Sequence, residues 1–363
     1  MAVGFSGSNG GIIENQKRIP ASDLQYETFI RKYPYPIEIS YFINNSCNLG
    51  CKHCYVAYEE DKYSLSVEQW KIAFDELISM GALTFGNVGK EPVLAWNETR
   101  ELMLYFKEKK QSIPKLRFGF VTNATMLDRS KIEELERIQP DYIDISLDGT
   151  KDTHDYIRGS GNYDRTMKNL KLMSEYEVIE KVFISFTANK FNIATIGRLV
   201  DSLYNMGVKK MLISPYITRD KFDSLYLPDE GIIKWVEELL AGNVIDFTKY
   251  QGLNIYIKND YSTTLNLMER LVNRGIIDKN NLLVDDYGVI FNKYTFYGND
   301  LYFNYLPWDD FFVRAIRFSH DGYVSNCFDM FFSEYPERAI GNVREKSIRE
   351  ILQYDIPLLK AAI

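Results

Sequence analysis

A chain of 363 residues with 45% hydrophobic and 14% aromatic side chains is long enough to bury one large core or two ordinary ones. Its 43 basic and 50 acidic residues give a formal charge of −7, with the acids dispersed, which excludes the basic footprint needed to hold nucleic acid or an anionic membrane. The opening MAVGFSGSNGG lacks the apolar core of a signal peptide, and no later run approaches the roughly 18 apolar residues of a membrane span, so the expectation is a cytoplasmic protein.

Residues 1–36 read as a leader segment, with a short helix about SDLQYETFIRKY broken by Pro34 and Pro36. IEISYFI (37–43) has the β-branched and aromatic residues of a strand. Ser66 and Gln69 then form a capping box, and Trp70, Ala73, Phe74, Leu77 and Ile78 repeat at helical spacing up to a stop at Gly81. The same alternation recurs, with strands near ALTFGNV, LRFGFVT, DYIDISL, KVFISFT and KMLISPY and helices near 97–110, 128–139, 162–176 and 193–206. Six strands interleaved with helices at short spacing fold, under the right-handed crossover rule, into a parallel sheet or barrel. Sites then belong at the C-terminal ends of the strands.

Beyond residue 218 the rhythm changes. Helices are expected near 229–241 and 262–274, and an aromatic stretch of unclear period runs to residue 312. A hairpin about Asp321 and Gly322 and a closing helix, SIREILQY, complete the chain. The division expected is a core domain over 37–218 and a C-terminal domain over 219–363.

Three of the four cysteines, Cys47, Cys51 and Cys54, fall within NNSCNLGCKHCYVAY, directly after the first core strand. Bridging among three cysteines of one short loop makes a poor structural staple, and reduced thiolates are the better reading. Three sulfurs on one loop converge on one small object. Zinc held with His53 is one candidate, although structural zinc sites close four ligands as two pairs from separate segments. A cubane iron–sulfur cluster held by three cysteines keeps one iron without a protein ligand.

This pattern, C-x3-C-x2-C followed by Tyr55, resembles the signature of the radical SAM superfamily. VGKEP (88–92), VTNAT (121–125), SLDG (146–149) and HDYIRG (154–159) resemble further phrases of that family, at the ends of successive strands. The fold implied is α/β, a partial (β/α)6 TIM-like barrel with an appended α+β C-terminal domain. The cofactors implied are one [4Fe-4S] cluster on Cys47, Cys51 and Cys54, and S-adenosylmethionine chelating the open iron. By motif position, Gly89 and Glu91 would receive the methionine amino group, and Ser146 and Arg158 its carboxylate or the ribose. Asn123 would lie near the ribose and Tyr55 near the adenine. Lys90 stands where a second glycine is usual, a substitution tolerated if its backbone makes the contact. The activity implied is reductive cleavage of S-adenosylmethionine and hydrogen abstraction from a C–H bond, with an external donor such as flavodoxin or ferredoxin supplying the electron.

The C-terminal hairpin and helix resemble a twitch or SPASM extension, yet only Cys327 remains there. One thiolate cannot hold another cubane, so a single cluster is expected, and Cys327 is a candidate hydrogen donor in an epimerisation, against the alternative of a small apolar residue. Fewer than fifty residues precede Cys47, which points away from a leader-binding winged module and toward a short peptide or small polar substrate. The aromatic stretch with Asp285, Asp286, Asp309 and Asp310 suits a cationic amine, such as an amino sugar or aminocyclitol, if those rings are not simply core. Dehydrogenation is the alternative outcome, and a non-catalytic cluster-bearing accessory protein is the alternative of another class.

Overall fold

The computed structural model describes residues 16–20, 38–54, 64–216, 222–258, 265–305, 315–325 and 339–355, with the single residues 24, 28, 218 and 220. Most of the N-terminal helix expected from the sequence lies outside them, as do Tyr55, Asp309, Asp310 and Cys327.

After a two-residue strand, β1 (Lys17–Arg18), six parallel strands form in the expected order: β2 (Glu38–Phe42), β3 (Thr84–Gly89), β4 (Arg117–Thr122), β5 (Tyr142–Ser146), β6 (Val182–Ala188) and β7 (Lys210–Pro215). Between them run α1 (Val67–Ser79), α2 (Trp96–Ser112), α3 (Arg129–Ile138), α4 (Lys151–Arg158), α5 (Asn162–Met173) and α6 (Ile196–Tyr204). The capping box of α1 is present in both directions, with Gln69 N–H donating to Ser66 Oγ at 3.2 Å and Ser66 N–H to Gln69 Oε1 at 2.9 Å. Helix α4 has no counterpart in the sequence reading. Its eight residues include only two large apolar ones, Tyr156 and Ile157, so no apolar stripe announces it.

The strands beyond residue 218 join the same sheet. On one side β8 (Asn254–Ile257) pairs parallel with β7, followed by β11 (Asn299–Asn304) and its hairpin partner β10 (Ile290–Phe296). On the other, β12 (Ala315–Phe318) lies parallel to β2 and returns through the expected turn as β13 (Tyr323–Ser325), which pairs with β14 (Gly341–Asn342). With β9 (Leu283–Val284) the result is one curled sheet of fourteen strands, a half-barrel within an α/β fold. Helices α7 (Asp229–Leu240), α8 (Leu265–Asn273) and α9 (Ile348–Asp355) complete it. Glu76 of α1 accepts the Arg349 N–H at 3.0 Å, which ties α9 to the first helix of the barrel.

Strand periodicity divides the side chains between two faces. On the convex face Ile39, Tyr41, Phe85, Phe118, Ile143, Ile184 and Ile213 merge with the helices into one large core. At its centre Trp70 and Phe74 stack at 5.4 Å, with Tyr41, Phe85, Phe106 and Phe318 at their edges. On the concave face Tyr142, Phe183, Leu212, Tyr256, Phe291 and Tyr302 form a separate cluster. The aromatic stretch of the sequence supplies part of this plug. Tyr287 donates to the Lys115 carbonyl at 2.8 Å and lies 3.7 Å from the Arg117 guanidinium, and both residues belong to the N-terminal end of β4. Tyr287, Phe291 and Tyr302 therefore close the bottom of the half-barrel. Asp285 accepts the backbone N–H groups of Tyr287 and Val289, and Asp286 pairs with Lys115 at 3.7 Å. Both act at the bottom of the barrel.

Candidate active site

The cavity opens at the opposite end, where β2, β3, β4, β5 and β6 terminate. It has a volume of about 110 Å³ and is lined by all three loop thiols, Cys47, Cys51 and Cys54, and by Phe42, Lys90, Glu91, Asn123, Ser146, Arg158, Ser185 and Thr187. Eight sequence candidates therefore meet in one place, besides the three cysteines' own loop partner His53.

Backbone hydrogen bonds fix the cysteine loop from two sides. Lys90 N–H donates to the Asn44 carbonyl at 3.1 Å and Glu91 N–H to the Ser46 carbonyl at 3.0 Å. In return Asn44 Nδ2 donates to the Glu91 carbonyl at 2.9 Å. On the far side Lys52 N–H reaches the Ile157 carbonyl of α4 at 2.9 Å. Gly89, joined to Lys90 by a cis peptide, permits this approach, because a Cβ there would stand 2.3 Å from the Phe42 ring.

Glu91 is 1% exposed, and its carboxylate accepts Thr122 Oγ1 at 2.6 Å, Asn123 N–H at 2.9 Å and Val93 N–H at 3.1 Å. Burial raises its carboxyl above the ordinary range, and those three donors oppose the rise. It is a strut between the ends of β3 and β4. Asn123 turns the chain by accepting Thr125 N–H at 2.9 Å, while its Nδ2 donates to Asn48 Oδ1 at 2.9 Å and lies 3.9 Å from Cys47 Sγ.

Burial pushes the Cys47 thiol up to about 11, against the Leu49 N–H that bonds its sulfur at 3.4 Å. The Cys51 thiol is likewise raised by burial, and the positive charge of Arg158 opposes it. Thiols in this state stay protonated until a cationic centre binds their sulfur and displaces the proton to solvent.

Arg158 closes the site from α4. It is 8% exposed, its Nε donates to Asp148 Oδ2 at 2.5 Å and its Nη1 lies 4.0 Å from Cys51 Sγ. Burial alone would raise the Asp148 carboxyl, but Arg158 and the imidazoles of His53 and His154 hold it below the usual carboxylate range. Burial pushes both imidazoles down to about 4, so they are neutral at physiological pH. His53 stands 3.8 Å from Asp148 Oδ2 and lies in the cavity wall.

Asp148, His154, Ser185 and Thr187 had no role in the sequence reading. Asp148, His154 and Arg158 are spaced by six and four, the last two on one helical face, and that spacing was the available signal. Ser185 and Thr187 simply point inward from β6, as strand alternation dictates. Deeper on the concave face, Asp144 is 1% exposed beside Ser185, and its Oδ1 has no hydrogen-bond partner among the described residues. Burial pushes its carboxyl up to about 6, opposed by Ser185, Lys258 and Arg158.

The donor set fits a thiolate-ligated cluster. All three cysteines are free of disulfides and line one cavity. A parallel half-barrel with three cysteines at its C-terminal mouth and a buried guanidinium 4.0 Å from one of them is an arrangement that would hold an iron–sulfur cluster. The Radical SAM superfamily model matches residues 41–214, so that part of the chain is similar to a radical SAM domain, which implies a [4Fe-4S] cluster and S-adenosylmethionine as its cofactors.

Among curated proteins it is 31% identical over 192 residues to an Fe-coproporphyrin III synthase of Methanosarcina barkeri, covering 52% of this chain and 45% of that one. It is 29% identical over 177 residues to the subtilosin biosynthesis protein AlbA of Bacillus subtilis, covering 47% and 38%. The alignments thus span under half the length of these relatives. Among solved structures, Streptococcus suis SuiB bound to S-adenosylmethionine superposes with a TM-score of 0.65 at 18% identity over 91% of this chain and 69% of that one. No helix among the described residues is long and apolar enough to cross a membrane.

Proposed function

We propose that this radical SAM enzyme abstracts hydrogen from a C–H bond of a short peptide or a small polar natural product. The observation that carries the reading is the meeting of Cys47, Cys51 and Cys54 with Glu91, Asn123, Ser146 and Arg158 around one cavity. When bound, the cluster and S-adenosylmethionine supply a one-electron reductive cleavage of the sulfonium C5′–S bond, giving methionine and a 5′-deoxyadenosyl radical. The chain's own residues hold and orient. Cys47, Cys51 and Cys54 would ligate three irons. Gly89, Lys90 and Glu91 would present backbone carbonyls to the methionine ammonium, with the Glu91 carboxylate adding negative charge behind them. Arg158 and Ser146 would take the carboxylate, and Asn123 the ribose. The curled sheet and its aromatic plug keep water from the reacting atoms.

A peptide substrate is supported by two relatives, since AlbA is a bacteriocin biosynthesis protein and SuiB has been seen with its precursor peptide SuiA. The small-molecule alternative stands beside it, since another relative is an Fe-coproporphyrin III synthase. Epimerisation with Cys327 as hydrogen donor is carried by that thiol in the C-terminal hairpin region; solvent deuterium at the product carbon, lost in Cys327→Ala, is its expected signature. A single cluster, an external flavodoxin- or ferredoxin-type donor and a cytoplasmic setting complete the proposal.

The test is anaerobic reconstitution followed by dithionite and S-adenosylmethionine. The protein should release 5′-deoxyadenosine, and Cys51→Ala should lower that rate by about 100-fold or more, in line with loss of an essential catalytic unit. Equal yields from the two proteins would refute the assignment.

A further inference from the structure

We infer that Asp148 is a positioning residue that aims the Arg158 guanidinium into the cavity, so that its Nη edge receives the carboxylate of the ligand bound beside Cys51. The inference rests on the S-adenosylmethionine-binding reading above and adds to it the group on which Arg158 depends.

Three observations carry it. First, Arg158 is fixed by one edge. Its Nε donates to Asp148 Oδ2 at 2.5 Å, which leaves the Nη edge turned toward the cavity, with Nη1 4.0 Å from Cys51 Sγ. A guanidinium carries five donors in a planar fork, and a carboxylate matches that fork with two parallel hydrogen bonds. Without a fixed Nε, the long side chain would distribute over rotamers and lose that freedom on every binding event.

Second, Asp148 is itself immobile. Its Oδ1 accepts Thr187 N–H from β6 at 2.7 Å, its own N–H donates to His154 Nδ1 of α4 at 3.1 Å, and its carbonyl accepts Thr153 Oγ1 at 3.3 Å. Gly149 follows with φ of +108°, where a Cβ would meet Thr153 Oγ1 at 2.3 Å and Thr195 Oγ1 at 2.6 Å. The carboxylate is therefore pinned between a strand end and the helix that carries Arg158.

Third, Asp148 is fully buried, whereas Arg158 lines the cavity. The acid touches the arginine and not the ligand space. Asp148 and Arg158, paired directly at 2.5 Å, compensate each other's charge. The pair thus presents directed N–H donors with little net charge, which favours geometry over bulk attraction in selecting the ligand.

The experiment measures S-adenosylmethionine binding to cluster-loaded protein by equilibrium dialysis, alongside iron content and the spectrum of the reduced cluster. Asp148→Asn and Arg158→Gln should each weaken binding by about tenfold or more with iron content retained. The double variant should bind no worse than Arg158→Gln alone, since two residues acting through one contact do not add. Methylguanidinium should restore binding to Arg158→Ala only while Asp148 is present, and this arm serves also if Asp148→Asn loses iron, with Asp148→Ser replacing it. Additive losses, unchanged affinity in Asp148→Asn, or rescue independent of Asp148 would overturn the clamp alone. A wild-type, cluster-loaded chain that binds no S-adenosylmethionine would overturn the underlying reading and the clamp with it.

Discussion

The two faces of the curled sheet are built from the same strands, residue by alternate residue, and differ in almost everything else. The convex face is aliphatic and aromatic, sealed by helices into a continuous core. The concave face carries Asp144, Ser146, Ser185, Thr187 and Lys258, all 9% exposed or less, above a small aromatic plug. Burying polar groups costs free energy that apolar packing must offset. The convex face supplies that stability, and the concave face uses it to keep charged side chains in a solvent-poor chamber next to the thiols.

Two substitutions sharpen this contrast, in order of expected size. Trp70 is fully buried against Tyr41, Phe74 and Phe318 in the convex core, so Trp70→Ala should cost about 3–5 kcal/mol in denaturant unfolding. A loss below about 1 kcal/mol would show that this face is not where the stability resides. Asp144→Asn should move the other way. A carboxyl held near 6 in the folded chain, against an ordinary 3.8, favours folding only while protonated, and that contribution is lost as pH rises from about 4 to 6. Once ionised it costs the folded state at most about 3 kcal/mol. The amide variant should therefore be the more stable protein at pH 7.5, with the gain shrinking toward pH 4. A variant less stable than wild type at pH 7.5 would mean that the carboxylate is satisfied within the fold and contributes to it.

Much of this was legible in the residues. The helix and strand periodicities placed all six parallel strands, because convex-face positions are apolar at every turn. The cysteine spacing and the phrases at successive strand ends assembled most of the cavity wall. Helix α4 escaped because it is polar and short, held by Asp155 accepting the Gly161 and Tyr163 N–H groups at 3.0 and 2.9 Å and not by an apolar stripe. The aromatic stretch had no readable period because β10 and β11 bury aromatic residues on both faces at once. Asp148 and Asp144 stood in plain sight as strand-end and strand acids. What distinguishes them, their partners across the barrel, depends on long-range register that one sequence does not display.

The account turns on a cluster held by Cys47, Cys51 and Cys54 with one iron open to S-adenosylmethionine. The most direct measurement is electron paramagnetic resonance of the anaerobically reconstituted, dithionite-reduced protein, with iron and sulfide analysis, before and after adding S-adenosylmethionine. About four irons per chain and a signal that shifts on addition are expected. A colourless protein holding one zinc, or a cluster signal indifferent to S-adenosylmethionine, would contradict it.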